Sequence, residues 1–186
     1  MFSLGLLSRM DNADSIEMEE EIEKLFENAS KLNGKPTEVT PYLYIGNYNN
    51  AYDTALLKKL GITHVLNCAQ LLPANPYKGH EELTGVRFYC QFEARDDNSY
   101  NPLQHSNLVA KFIEHARAGK GKVLLHCIRG VNRSVCLALA YLMEHQGWNL
   151  LEGVKFLAEK RGKCLENNNF RQCLIELNSK IRTASL

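Results

Sequence analysis

No stretch of this 186-residue sequence approaches the roughly 20 consecutive apolar residues that a membrane-spanning helix needs, so a transmembrane protein is not expected. Neither sign of charge prevails. Lys and Arg number 22 against 21 Asp and Glu, a net charge of +1, which argues against a general nucleic-acid binder and leaves room for a local basic pocket. The six cysteines include no Cys-x-x-Cys pair, so zinc-finger spacing is missing. Met1–Met10 carries Phe2, Leu4, Leu6 and Leu7, a run too short and too lightly charged ahead of its apolar part for a signal peptide. No internal repeat or long linker interrupts the chain. With 45% apolar and 23% charged residues, the sequence reads as one globular domain long enough for a substantial core.

Against that background one stretch stands out, Val123–Ser134 (Val-Leu-Leu-His-Cys-Ile-Arg-Gly-Val-Asn-Arg-Ser). Val123 to Leu125 suits a buried strand, and an apolar helical run follows Ser134. A loop between a strand end and a helix N-terminus turns backbone N–H groups inward and adds the helix dipole, which together bind an oxyanion. Here the loop holds a thiol at its base and an arginine fork at its end. Such a setting lowers the pKa of Cys127 toward the nucleophilic thiolate. Arg133 matches two phosphate oxygens with its planar fork, which lysine cannot do. Gly130 permits close backbone approach, and Ser134 can donate to the sulfur. These residue types suit attack on a phosphoryl group. Cys68, Cys90, Cys136, Cys164 and Cys173 are not placed for this chemistry, and most of them sit in apolar patterns as small core residues. A reactive thiolate implies a reducing compartment, the cytoplasm and also the nucleus.

Along the chain, residues 11–33 read as an amphipathic helix with Asp14 and Glu17 as a capping box and Met18, Ile22, Leu25, Phe26, Ala29 and Leu32 inward. Gly34 and Pro36 end it. Residues 38–46 give two short strands around Pro41. Asn49 or Asn50 caps a helix reaching Leu60, with Ala51, Ala55, Leu56 and Leu60 inward. Strands are expected over 62–69, which includes His64 as a strand residue, and over 86–92, with loops at 70–85 and 93–102. A helix over 103–118 buries Leu108, Val109, Phe112, Ile113 and Ala116. Helices follow over 134–145, from Asn149 to near Arg161, and over 168–181. Alternating strands and helices give an α/β class with a central sheet flanked by helices. The reactive loop lies at a strand's C-terminal end, where such sheets bind ligands.

Cleaving an alkyl phosphoester needs a proton for the departing oxygen, and the polar segment Glu93–Pro102, about thirty residues before Cys127, offers the carboxyls of Asp96 and Asp97.

His-Cys-x5-Arg-Ser resembles the cysteine-dependent protein phosphatases. Glu38–Ala69 resembles the start of the dual-specificity phosphatase domain, and Ala138–Met143 and Arg161–Phe170 resemble its later helix and loop. The nearest type is the small atypical, VHR-like group, and the resemblance covers about 37–182. It implies a mixed sheet with the phosphate-binding loop between a strand and a helix. It also implies a catalytic domain over 37–182, with residues 1–36 as an N-terminal helical extension packed on it. By position, Asp96 matches the general acid, with Asp97 the competing choice. Arg161 matches an arginine near the pocket mouth, and Asn167 the asparagine that opens the last helix. Gly162 and Glu166 replace usual prolines and Asn169 a usual glycine, changes expected to loosen that loop. The expected catalytic set is Cys127, Arg133, Asp96, Ser134 and His126. Substrate binding is expected from Ile128, Arg129, Gly130, Val131, Asn132 and Arg161. Ile128-Arg129 and Val131-Asn132 are expected to line the mouth.

The function implied is hydrolysis of phosphotyrosine and phosphoserine or phosphothreonine through a cysteinyl-phosphate, without metal or cofactor. The expected partner is a phosphorylated protein such as a MAP kinase. Two alternatives carry less support. An RNA 5′-triphosphatase or diphosphatase is suggested by Gly130-Val-Asn-Arg-Ser, and a phosphoprotein-binding pseudophosphatase is opposed by the presence of Cys127, Arg133 and Asp96.

Overall fold

The computed structural model describes residues 3–69 and 75–184, with backbone alone for 3–12. Five short strands form one sheet: β1 (Thr37–Thr40), β2 (Leu43–Gly46), β3 (His64–Asn67), β4 (Phe88–Gln91) and β5 (Val123–His126). The order is β1-β2-β5-β3-β4, with β1 antiparallel to β2 and the other neighbours parallel. β5 is central and buried throughout, which is why it reads as an unbroken apolar run. The register aligns Gly46, His126 and Asn67 across β2, β5 and β3. The loop after β5 therefore emerges flanked by the segments that follow Gly46 and Asn67.

Side chains alternate between the two faces, as the period of a strand requires. Leu43, Ile45, Leu66, Val123 and Leu125 join the larger core, and Tyr44, Val65 and Leu124 join the smaller one. The larger core is organised around α6 (Arg133–Gln146), every residue of which from Ser134 to Met143 is buried. Around it pack α5 (Ser106–Ala118), α7 (Leu150–Lys160) and α8 (Asn168–Ala184), and α1 (Ser3–Glu27) packs on α7 and α8. α2 (Tyr48–Tyr52), α3 (Thr54–Leu60) and α4 (Glu81–Thr84) contribute to the other side. Asn149 and Glu152 form the expected capping box of α7.

Several boundaries differ from the sequence reading, and the strands expected over 62–69 and 86–92 are shortened to β3 and β4. α1 starts at Ser3, so Asp14 and Glu17 lie inside it and form no cap. It also stops at Glu27, because the chain after it is bound elsewhere: Lys163 N donates to Ser30 O (2.9 Å) and Asn33 N to Arg161 O (3.0 Å). Ile22 and Phe26 still reach the core, and Met18, Leu25, Ala29 and Leu32 pack against it. The single helix expected up to Leu60 is two. Asp53 ends α2 and caps α3 by accepting from Leu56 N (2.9 Å), while Asn47, not Asn49 or Asn50, caps α2. The break rephases the second half, so Leu57 is buried and Ala55 exposed. A 3₁₀ turn at Pro102–His105 precedes α5 and leaves Leu108 exposed while Ala110 turns inward. The expected loop at 70–85 closes on α4, and its residues 70–74 lie outside the described residues, as do Met1 and Phe2.

Gly162 does not loosen its loop. Its φ is +90°, and a Cβ there would stand 2.6 Å from Ser30 O and 2.7 Å from Lys31 O. The glycine thus admits the segment behind α1 against the end of α7.

Candidate active site

Cys127 lies at the base of the loop that joins β5 to α6. Three loop carbonyls are taken from outside: Ile128 O by Tyr48 N (3.0 Å), Gly130 O by Arg161 Nε (2.8 Å) and Val131 O by Leu165 N (2.8 Å). With the carbonyls turned out, the amides face the inside of the loop. Gly130 N–H donates to Cys127 Sγ at 3.2 Å, and Ser134 Oγ donates at 3.4 Å.

Gly130 has φ +68°, and a Cβ on it would lie 2.5 Å from Gly46 O and against Arg161 Nη2. Gly130→Ala is therefore expected to destabilise the fold by about 2–4 kcal/mol and to collapse phosphatase activity. A thermal melt with an aryl phosphate assay checks this, and a near-normal melting temperature would contradict it.

The Cys127 thiol is held well below the ordinary cysteine range. The Cys68 thiol lies within reach of it, and its single proton is shared between the Cys127 sulfur and His126 O, 3.0 Å away. Ser134 adds its hydroxyl and backbone N–H and Arg133 its charge, together outweighing burial. Burial pushes the Cys68 thiol up, so it stays protonated and serves as a donor. His126 is buried and pushed down to about 4 by desolvation, hence neutral at physiological pH. Its Nδ1–H lies 3.3 Å from Cys127 O, so it braces the loop base.

The acid-bearing segment closes over the other side. Asp96 Oδ1 accepts from Asn132 Nδ2 and Asn167 Nδ2, each at 3.1 Å. Its Oδ2 lies 3.3 Å from Asn132 Nδ2 and 3.6 Å from Arg133 Nε. Arg133 Nη1 donates to Ala94 O at 3.2 Å, and its buried Nε has no hydrogen-bond partner. Asp97 is engaged elsewhere, by Ser99 N (2.9 Å), Ser99 Oγ (2.7 Å) and Arg95 Nε (3.0 Å).

Cys127, Arg133, Asp96, Ser134 and Gly130 are thus brought together, and Ile128 (40% exposed) and Arg129 lie at the surface beside them. Arg129 pairs with Glu166 at 3.3 Å. Three expectations about the mouth are corrected. Arg161 is 0% exposed and lies beneath the loop, where Nη1 also reaches Thr37 Oγ1 (2.9 Å) and Ile45 O (3.1 Å). A guanidinium can satisfy several inward-facing carbonyls at once, which explains its burial. Val131 is 2% exposed and belongs to the core. The Asn132 side chain is used up by Asp96 and by the N–H groups of Glu166 (2.7 Å) and Asn167 (3.2 Å).

Sequence reasoning missed a recess beside Cys127 and Ile128 lined by Tyr48, Tyr52, Asn67 and Tyr89. The Tyr48 and Tyr52 rings stack with centroids 4.4 Å apart. Their i, i+4 spacing just after a strand was the available signal, but only the parallel register puts that strand's end beside β5. Among the described residues, no group of three or more His, Cys, Asp or Glu lies together to hold a metal ion, and no helix is long and apolar enough to cross a membrane.

Comparison with known proteins agrees with this geometry. Residues 43–180 match the dual specificity phosphatase catalytic domain. Rat dual specificity protein phosphatase 26 is 35% identical over 163 residues, 87% of this chain and 76% of that protein. A Dictyostelium discoideum MAP kinase phosphatase with leucine-rich repeats is 28% identical across 96% of this chain and 20% of its own length. The structure of a mouse dual specificity phosphatase in complex with zinc tungstate superposes with a TM-score of 0.70 at 25% identity, covering 85% of this chain and 95% of that one. Sequence and sheet therefore lead to one assignment: this chain belongs to the dual specificity phosphatases, cysteine-dependent enzymes that hydrolyse phosphoesters on proteins.

Proposed function

We propose that Cys127 is the nucleophile of this phosphatase and that Asp96 is its proton donor. The observation that carries the reading is the Cys127 sulfur held as a thiolate by Gly130 N–H and Ser134 Oγ, with Asp96 bridged to the same loop through Asn132. The sulfur attacks phosphorus as the ester P–O bond breaks, and Asp96 gives its proton to the departing oxygen. Arg133 and the loop amides hold the equatorial oxygens. Asp96, now ionised, draws a proton from water, which attacks the cysteinyl-phosphate. Phosphate leaves and the thiolate returns, with the Ser134 hydroxyl donating to the departing sulfur. His126 supports this without exchanging protons at neutral pH.

Residues 37–182 form the catalytic unit. α1 is an extension seated on it through Ile22 and Phe26 and through ion pairs of Glu19 and Glu23 with Arg171. The substrate class is a phosphorylated protein, with MAP kinases favoured by the name of the Dictyostelium relative. A reducing compartment, cytoplasm or nucleus, suits the thiolate. The RNA-phosphatase reading rests on the Gly130-Val-Asn-Arg-Ser pattern, in which Asn132 here engages Asp96. A doubly phosphorylated kinase activation-loop peptide should release phosphate from both tyrosine and threonine. Faster cleavage of 5′-triphosphorylated RNA would overturn the reading.

Asp96→Asn is expected to lower turnover about 10²-fold. Steady-state kcat on phenyl phosphate checks this, and turnover near wild type would count against Asp96.

A further inference from the structure

The geometry points to Asn132 and Asn167 as positioning residues that latch the acid loop onto the phosphate loop, so that esters with poor leaving groups, the phosphoserine and phosphothreonine type, meet a donor already in place. This rests on the reading of Asp96 as proton donor. Asp96 sits in a polar, partly exposed segment with no regular structure of its own, from Ala94 to Asn101, just after the antiparallel bridge of Glu93 with Ala69. A carboxyl there must be tied down from elsewhere if it is to meet an ester oxygen without reorganisation.

Asn132 supplies that tie. It is the residue before Arg133, at the N-terminus of α6, and its side chain is 8% exposed. Its carbonyl oxygen accepts from Glu166 N and Asn167 N, which fixes the amide plane. Its Nδ2 is thereby aimed at Asp96, 3.1 Å from Oδ1 and 3.3 Å from Oδ2. Asn167 Nδ2 adds a second donor to Oδ1 at 3.1 Å. Further ties run from Asn169 Nδ2 to Tyr100 O (2.8 Å) and from Arg133 Nη1 to Ala94 O (3.2 Å), so the segment is held on both sides of Asp96. The two carboxyl oxygens are not equivalent. Oδ1 takes two amide donors and serves as the fixed acceptor. Oδ2 has the longer contacts, Asn132 Nδ2 at 3.3 Å and Arg133 Nε at 3.6 Å, and in this proposal it carries the proton that passes to the ester oxygen as the P–O bond breaks.

A latch acting through the acid has a signature that general damage lacks. An activated aryl phosphate departs without a proton, whereas phenyl phosphate and phosphothreonine need one. In Asn132→Ala and in Asn167→Ala, the ratio of kcat for an electron-poor aryl phosphate to kcat for phenyl phosphate should widen by about tenfold. A phosphothreonyl peptide should lose at least as much as phenyl phosphate does. Asp96→Asn should widen the ratio more, and adding Asn132→Ala to Asp96→Asn should widen it no further. Uniform loss on all esters in both single variants would overturn the latch. So would further widening in the double variant. A flat leaving-group dependence in Asp96→Asn would instead remove the acid assignment itself. Should Asn132→Ala fail to fold, Asn167→Ala decides, since it removes one Asp96 donor and the acceptor for Phe170 N (3.2 Å) while the Asn132 side chain keeps its contacts with Asp96, Glu166 N and Asn167 N.

Discussion

Cys127→Ser is expected to abolish hydrolysis, lowering kcat by more than about 10⁴-fold on an aryl phosphate, while the protein stays folded and still binds phosphate. The environment around the sulfur stabilises a thiolate, through the Cys68 thiol, the Ser134 hydroxyl at 3.4 Å and its backbone N–H, and the neighbouring Arg133, with Gly130 N–H 3.2 Å away. A serine hydroxyl starts from a far higher pKa, and the same donors do not bring it to the alkoxide at neutral pH. Oxygen is also the smaller atom, so the substitution leaves the buried site without overpacking. A residual rate within tenfold of wild type would show that another group attacks phosphorus.

The same electrostatics predict selective alkylation. The reactive form of Cys127 persists below the pH at which an ordinary thiol is protonated and is lost only as pH falls through its lowered pKa. Every other cysteine is pushed the opposite way by burial, Cys164 to about 12 and Cys68, Cys90, Cys136 and Cys173 upward. Iodoacetate at pH 6 should therefore label Cys127 first, as peptide mass mapping would report.

Arg133→Lys is expected to cost about 10²–10³ in kcat. The Arg133 guanidinium is mostly buried, reaches Ala94 O through Nη1 and keeps an unpartnered Nε beside Asp96. One planar group thus reaches the Ala94 carbonyl and the Asp96 carboxyl together. An ammonium is a point charge that holds one of these partners at a time and presents no parallel pair of N–H groups to a phosphoryl group. Charge is conserved, so steady-state KM should move less than kcat. Turnover near wild type would show that charge alone suffices.

How much of this was legible depends on the range of the interactions. The buried strand, the turn after it and the apolar helix were readable because a continuous apolar run, Gly130 and a helix start are local patterns. The α7 capping box from Asn149 and Glu152 was readable for the same reason. The Asp53 break was misread although its cap is local, since Asn49 and Asn50 offered competing caps nearby. The early end of α1 was hidden because its cause lies over a hundred residues away, where Arg161 and Lys163 bind Asn33 and Ser30. Which of Asp96 and Asp97 turns toward the phosphate loop could not be read from two adjacent, chemically equal carboxyls. Ser99 and Arg95 take one of them, and Asn132 and Asn167 take the other.

By itself, then, the sequence determined the chemistry: a thiol, an arginine fork, a glycine turn and a nearby carboxyl at spacings that suit a phosphate-binding loop. Tertiary structure decided which way each side chain faces. It sent Arg161 beneath the loop to hold Gly130 O, took Val131 into the core and spent Asn132 on the acid. The reason is that buried backbone carbonyls and N–H groups must find partners, and those partners come from distant segments that only the folded chain brings together.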